Sequence, residues 1–294
     1  MNEEKKKKWL ASLDRRIQLF GIDLKAKLRK EPLKALACLA LKAPSYLVPG
    51  GLKIGIKTFW GGMMYGILPD VISTQLYRNE YLEEGLTKMF LEYLAEGMTV
   101  ADIGAHIGYF SVLASDIVGP QGQVHAFEPT DSTFAILECN AKHRKNIVAN
   151  KLAVFSKSTD LEFRDFGNQY SNLNSFTEPK VGDGRKLEFR KTIVKAITLD
   201  EYVAETRIKP DFIKIDAESA EFEILKGAEK TIGNSKPIIS LEVGETVSSD
   251  VMPSSECIKF LLSKGYTAHC YEGGKIMPHT VKDEYKWDNL LFVP

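Results

Sequence analysis

Val100-Ala-Asp-Ile-Gly-Ala-His-Ile-Gly-Tyr109 is the stretch on which the reading of this chain turns. The run Met98 to Ile103 has the length and apolar character of a buried strand. It ends in Asp102-Ile-Gly-Ala-His-Ile-Gly108, and a helix is expected immediately after, over 107–117. Gly104 and Gly108 allow a tight turn and a close backbone approach to a ligand. The helix that follows offers unpaired N–H groups at its start, suited to a carboxylate or a phosphate.

Outward from that turn the pattern repeats. Strands are expected at 98–103, 122–127, 148–154, 211–216 and 237–242, with helices at 107–117, 131–143 and 220–231. Such alternation implies an α/β fold with a doubly wound, mostly parallel sheet and right-handed crossovers. A helix near Ser255–Ser263 and strands at Tyr266–Cys270 and Leu290–Val293 close the chain. Upstream, a basic helix over 5–30, a second from Pro32 to about Ala43, a hairpin flanking Trp60-Gly-Gly62 and a helix from Glu84 to Ala95 are expected. Two regions follow: an N-terminal extension over 1–83 and a catalytic domain over 84–294. The polar stretch Asp165 to Arg185 is too long for a plain connection, and long loops on such scaffolds usually carry function or disorder.

Twenty-six residues past Asp102, Glu128 stands at the end of the next strand in Phe127-Glu-Pro129. A carboxylate there can accept hydrogen bonds from both hydroxyls of a ribose. The loop distinguishes two nucleoside cofactors. Nicotinamide enzymes use G-x-G-x-x-G, whereas this turn is G-A-H-I-G and lacks the middle glycine that admits a pyrophosphate. Asp102 would repel a pyrophosphate and attract an ammonium or a sulfonium. The reading that follows is S-adenosylmethionine, held by Asp102, Gly104, Ala105, His106, Gly108, Tyr109, Glu128 and Pro129, with backbone near Ala153 meeting the adenine.

These residues resemble the FkbM family of methyltransferases. The resemblance runs from about Ile56 to Pro294. It rests on the glycine turn, on Phe127-Glu-Pro129 and Leu199-Asp-Glu-Tyr-Val203, and on Asp211-Phe-Ile-Lys-Ile-Asp-Ala-Glu-Ser219. Glu221-Phe-Glu-Ile-Leu-Lys-Gly227, Pro237-Ile-Ile-Ser-Leu-Glu242 and Asn289-Leu-Leu-Phe-Val-Pro294 complete it. It implies a seven-stranded Rossmann-like methyltransferase sheet, S-adenosylmethionine as donor, O-methylation of sugars or secondary metabolites, and no obligate metal. The family usually has Asn where His106 stands and Gly where Ser219 stands.

Methyl transfer to an oxygen needs a base and close positioning. Asp216 and Glu218 end the fourth core strand and Glu242 the adjacent one, at the strand ends where open α/β sheets bind ligands. Acids converging there raise one another's pKa, which suits a base near neutrality. Asp216 is equally placed to touch the methionine end of the donor. Lys214 shares its strand face and is expected to pair with one of the acids. An ion pair or a helix cap is the plainer role for Asp216 and Glu218. His106 is the other candidate base, expected mainly to position. His125 is expected in the core, and Tyr109 against either cofactor or core. Trp60 and its hairpin are candidates for a lid, and Tyr170-Ser-Asn-Leu-Asn-Ser175 suits the hydroxyl edges of a sugar.

Net charge is zero, but residues 1–57 carry fourteen Lys and Arg against five Asp and Glu, so that segment is +9 and the remainder −9. A solvated basic helix is the plain reading of such an arm; it can also pack on its own body or meet an anionic membrane surface peripherally. The acidic body argues against nucleic acid. Four scattered cysteines without a CxxC pair give neither a zinc site nor a disulfide framework and fit a reducing cytoplasmic setting. No leader peptide and no membrane span is read. Two other functions stay open: a nicotinamide-dependent oxidoreductase, and a non-catalytic binding or membrane-associated relative. The acceptor is read as a small molecule or glycan; composition leaves the oligomeric state open.

Overall fold

The computed structural model describes residues 1–20, 30–176, 188–244, 252–282 and 284–294. The far end of the expected basic helix and part of the polar loop therefore lie outside the described residues. The order of elements begins with helix α1 (Glu3–Phe20), α2 (Pro32–Ser45), strands β1 (Leu52–Lys57) and β2 (Met63–Leu68), α3 (Val71–Asn79) and α4 (Glu84–Tyr93). The main sheet's elements follow as β3 (Thr99–Ile103), α5 (Tyr109–Val118), β4 (Gln123–Phe127), α6 (Asp131–Ala141) and β5 (Ile147–Asn150), with β6 (Ala153–Val154) after them. Then come β7 (Thr159–Asp165), a 3₁₀ turn (Asn168–Leu173), β8 (Arg190–Ile197), α7 (Leu199–Thr206), β9 (Phe212–Ile215), α8 (Glu221–Gly227) and α9 (Glu229–Ser235). The chain closes with β10 (Ile238–Val243), α10 (Ser254–Ser263), β11 (Thr267–Glu272), β12 (Lys275–Pro278) and β13 (Asp288–Val293).

The main sheet runs β12-β11-β13-β10-β9-β3-β4-β5. The pairs from β10 through β5 are parallel; β13 is antiparallel to both β10 and β11. The expected seven strands are all present, and β12 adds an eighth at the edge by pairing with β11. Strands β3 and β9 are buried along almost their whole length, the pattern of parallel strands covered on both faces. One face packs against α4, α5 and α6 through Leu86, Phe90, Leu113 and Leu137. The other meets α7 to α10 through Tyr202, Ile224, Ile232 and Leu261. Helix α7 starts with a reciprocal capping box between Thr198 and Glu201, so its first turn is fixed by local sequence.

Three sequence expectations change here. The single strand expected over 148–154 is two: β5 belongs to the main sheet, while β6 pairs with β8 in a separate sheet ordered β6-β8-β7. Trp60 is no lid. It is buried, stacks edge-on against Tyr109 at 5.5 Å and donates Nε1–H to Asp116 at 2.8 Å. Helix α1 is not a freely solvated arm either, since Trp9 and Leu13 enter the core beside Phe59 and Phe90. Its polar groups are tied down as well: Lys88 pairs with Asp14 at 2.8 Å, Ser12 donates to the Phe59 carbonyl, and Arg16 pairs with Glu80. By contrast, α2 leaves an apolar stripe open, with Leu33 81% exposed and Leu36 and Leu39 also outside.

Candidate active site

The strand order reverses between β3 and β9, where β4 and β5 lie to one side and β10 to the other. Ligands of open α/β sheets sit at the carboxyl ends of the strands flanking such a switch point. A cavity of about 430 Å³ opens there, within the size range of cofactor pockets. Its floor is the turn Gly104 to Ile107; one flank is Glu128, Pro129 and Thr130. Leu152, Ala153, Val154 and Phe155 form an apolar slot. The roof comes from the small sheet and the 3₁₀ turn, through Phe163, Ser171, Asn174 and Phe176. Glu83, Asp216, Glu218 and Glu242 make the acidic far wall.

Most of the residues singled out from sequence meet in this wall, but two do not. Asp102 is fully buried behind it: Oδ2 accepts from Ser111 at 2.5 Å, and Oδ1 lies 3.3 Å from the Lys214 ammonium. Its role is internal, because β3 turns that side chain toward α5 and away from the cavity. Gly108 likewise stands outside the wall; its absent side chain makes room for Leu137, whose Cδ1 would lie 2.6 Å from a Cβ. Gly104 is in the wall, yet the close approach it permits is internal. A Cβ there would stand 1.7 Å from the Asp216 carbonyl oxygen, and its φ of +75° is the left-handed region that favours glycine. Tyr109 borders the cavity but is a core residue, with its hydroxyl 3.1 Å from the Thr87 hydroxyl and its acidity suppressed by burial.

Lys214 organises the acid wall. Its Nζ is almost fully buried and lies 3.1 Å from Asp216 Oδ2 and 3.1 Å from the Gly104 carbonyl, which it donates to, besides its contact with Asp102. Burial alone would lower its pKa, but the negative charges of Asp216, Asp102 and Glu83 outweigh it and hold the ammonium charged. Beyond that one cation the wall is overcharged with acid. Burial, with repulsion from Asp216, pushes Glu83 up to about 7. Glu218 and Glu242 are raised well above the ordinary carboxylate range by the same two causes. Glu221 lies behind them and is raised to about 7 by burial, even though its Oε1 accepts from the backbone N–H groups of Ala217 and Ser219 at 3.1 and 3.2 Å. Those two bonds hold the loop that presents Glu218. Glu218 and Ser219, where a glycine is usual, both take left-handed φ values, +46° and +82°, as do Glu83 at +36° and His106 at +52°. Non-glycine residues held this way store strain, and such strain clusters at functional sites.

Glu128 is only 5% exposed. Its Oε1 accepts from Thr130 N–H at 3.0 Å and from the Thr130 and Thr133 hydroxyls, whereas Oε2 accepts a single bond, from His106 N–H at 3.0 Å. One oxygen is thus committed to shaping the loop and the other keeps acceptor capacity. His106 Nε2 lies 2.7 Å from Ser171 Oγ, which donates to Asp70 Oδ1 at 2.7 Å, so the turn, the roof and the N-terminal extension share one chain of bonds. His125 is a core residue as expected, bonded to the Tyr202 hydroxyl at 2.8 Å and driven toward its neutral form by burial. Glu83 and Asp70 escaped the sequence reading. The Glu83-Glu84 pair at the head of α4 reads as ordinary acids complementing a helix dipole, and nothing local connects it to Asp216. Among the described residues, no group of three or more His, Cys, Asp or Glu side chains is arranged to hold a metal ion.

A parallel sheet with an antiparallel β13 between β10 and β11, and a cavity at its switch point, defines a Rossmann-like protein of the methyltransferase class. A family model described as the methyltransferase FkbM domain matches residues 102–268. The chain belongs to that family, and S-adenosyl-L-methionine is the cofactor of this class. Among curated proteins, the hexuronic acid methyltransferase AglP of Haloferax volcanii is 27% identical over 147 residues. That match covers 49% of this chain and 56% of the relative, so the chain spans little more than half the length of the curated relative it matches. Among solved structures, an FkbM methyltransferase from Methylobacillus flagellatus KT gives a TM-score of 0.41 at 16% identity, covering 76% of this chain and 55% of that one. Aeropyrum pernix fibrillarin with bound S-adenosyl-L-methionine gives 0.39 at 15% identity, covering 67% and 66%.

Proposed function

We propose that this protein transfers the methyl group of S-adenosylmethionine to a hydroxyl oxygen of a sugar or a related small metabolite. The observation that carries the reading is one cavity bordered by a spare carboxylate oxygen of Glu128, an apolar slot and an acid wall. Those are the three chemistries that a ribose, an adenine and a cationic methionine end require. The donor, when bound, supplies an electrophilic methyl carbon. Everything else falls to the chain. Glu128 Oε2 accepts a ribose hydroxyl, while Leu152 to Phe155 cover the base. The acid wall balances positive charge, with Asp216 held 3.1 Å from the Lys214 ammonium.

Asp216, Glu218 and Glu242 form the catalytic group in this reading. Burial makes Glu218 and Glu242 avid for protons, so either can take the proton that the attacking hydroxyl releases. His106 positions the loop through its bond to Ser171. The roof excludes water from the reacting atoms. The relative named a hexuronic acid methyltransferase supports a sugar as acceptor. Residues 1–83 serve as an extension that braces residues 84–294, and the apolar stripe of α2, within the +9 segment, suits peripheral contact with an anionic membrane surface. The test is titration calorimetry with S-adenosylhomocysteine and with NADH, followed by labelled methyl transfer to a panel of glycosides. Micromolar binding of the first ligand alone, and labelled glycoside, are expected. NADH binding, or binding of neither, would sink the reading.

A further inference from the structure

A second chamber of about 300 Å³ adjoins the cofactor cavity. Glu83, Glu242 and Trp287 border both. Its remaining wall includes Glu84, Asp288 and Asn289, with Tyr271 behind. Three features of this chamber call for a ligand.

First, Trp287 is 61% exposed at the junction, an unfavourable place for a large apolar ring unless something covers it. It is nevertheless braced: a Cβ on Gly244 would lie 2.9 Å from Trp287 Cε3, so the bare glycine lets the ring rest on backbone. On the opposite side Gly85 does the same for Tyr271, whose hydroxyl donates to Glu84 at 2.6 Å. Second, the Glu242 carboxylate reaches the cavity with neither a hydrogen bond nor an ion pair to any described residue, and the same is true of Glu218 beside it. Both residues are half-buried, so their carboxylate oxygens keep acceptor capacity for the O–H or N–H groups of a ligand. Glu83 is already oriented by Asn289 Nδ2–H at 2.7 Å. Third, no basic residue borders the second chamber among the described residues. Lys88 stands 5.6 Å from the centre of the Tyr271 ring and pairs with Asp14, while Lys214 pairs with Asp102 and Asp216.

We propose that this chamber is the acceptor subsite, with Trp287 as the platform for a pyranose ring and the surrounding acids as acceptors for its hydroxyls, and that it selects a neutral or amine-bearing glycosyl unit over a uronate. An aromatic face packs against the C–H face of a sugar, and it also attracts an ammonium. Carboxylates accept several hydroxyl donors at once. A uronate, in contrast, brings a further carboxylate into a chamber already bordered by four acids, Glu83, Glu84, Glu242 and Asp288, and by no basic residue among the described ones. Like-charge juxtaposition of this kind is a standard source of selectivity. The inference rests on the sugar methyltransferase reading and adds where the acceptor sits and which charge it carries.

Trp9 and Trp60 are buried, so Trp287 dominates quenching of tryptophan fluorescence by acrylamide. The experiment measures protection from that quenching by methyl glucoside, methyl glucosaminide and methyl glucuronide, with and without S-adenosylhomocysteine. The first two are expected to protect, and the glucuronide at least ~10-fold less tightly, about 1.4 kcal/mol. Trp287→Phe should abolish the response while the calorimetric affinity for S-adenosylhomocysteine stays within about twofold. The double variant Glu84→Gln, Asp288→Asn should narrow the gap between glucoside and glucuronide. Equal protection by the glucuronide, or protection by none of the three, overturns the inference. Because the optical signal is read separately from donor binding, failure of the chamber and failure of the methyltransferase reading are told apart.

Discussion

Replacing Lys214 by methionine tests the electrostatic centre of the site. In the folded protein its ammonium lies 3.3 Å from Asp102 and 3.1 Å from Asp216, and Asp102 is wholly buried. At an effective dielectric of about 20, each contact represents about 5 kcal/mol of attraction, much of it offset by the cost of taking the charges out of water. Methionine preserves the volume but leaves two enclosed carboxylates with no cation. Removing one partner of a buried pair costs about 3–5 kcal/mol, which for a chain of this size lowers Tm by roughly 6–20 °C. The assay is urea unfolding of the wild type, Lys214→Met, Asp102→Asn and the double variant. The double variant should recover at least half of the loss, because the charge that was stranded is gone. A loss below ~1 kcal/mol, or a double variant no better than the single, would refute the picture.

Three further outcomes are expected. Glu218→Gln should cut turnover roughly 10²–10⁴-fold with S-adenosylhomocysteine affinity retained, Asp216→Asn should lower both turnover and that affinity, and a double variant at full speed would end the base assignment. Glu221 carries a folded pKa of about 7, above its ordinary 4.5, so it lowers stability as pH rises from about 4.5 to about 7 and imposes the whole cost above that. Glu221→Gln should flatten that decline and gain at most about 3 kcal/mol at pH 8, read by melts across pH; an unchanged slope would count against it. Leu13→Ala should cost about 2–5 kcal/mol, since Leu13 is fully buried in the shared core, whereas a solvated arm would lose nothing.

Strand-helix alternation and the turn after β3 are enough to announce the sheet, because both depend on local periodicity and on glycine at fixed positions. The same holds for Glu128, Asp216, Glu218 and Glu242, whose places at strand ends follow from the alternation alone. Sequence could not say which way Asp102 points, since a strand turns alternate side chains to opposite faces and only packing reveals which face is the cavity. Nor could it join Glu83 to Asp216, Asp70 to Ser171 and His106, or Trp287 to Glu242. Those neighbours are far apart in the chain and meet only when helices and loops close over the sheet. Local sequence fixed the kinds of element and the acids at their ends. Tertiary packing alone decided which acids share one wall, which are paired beneath it, and what stands beside them, because proximity across a sheet is set by crossovers whose partners no local signal names.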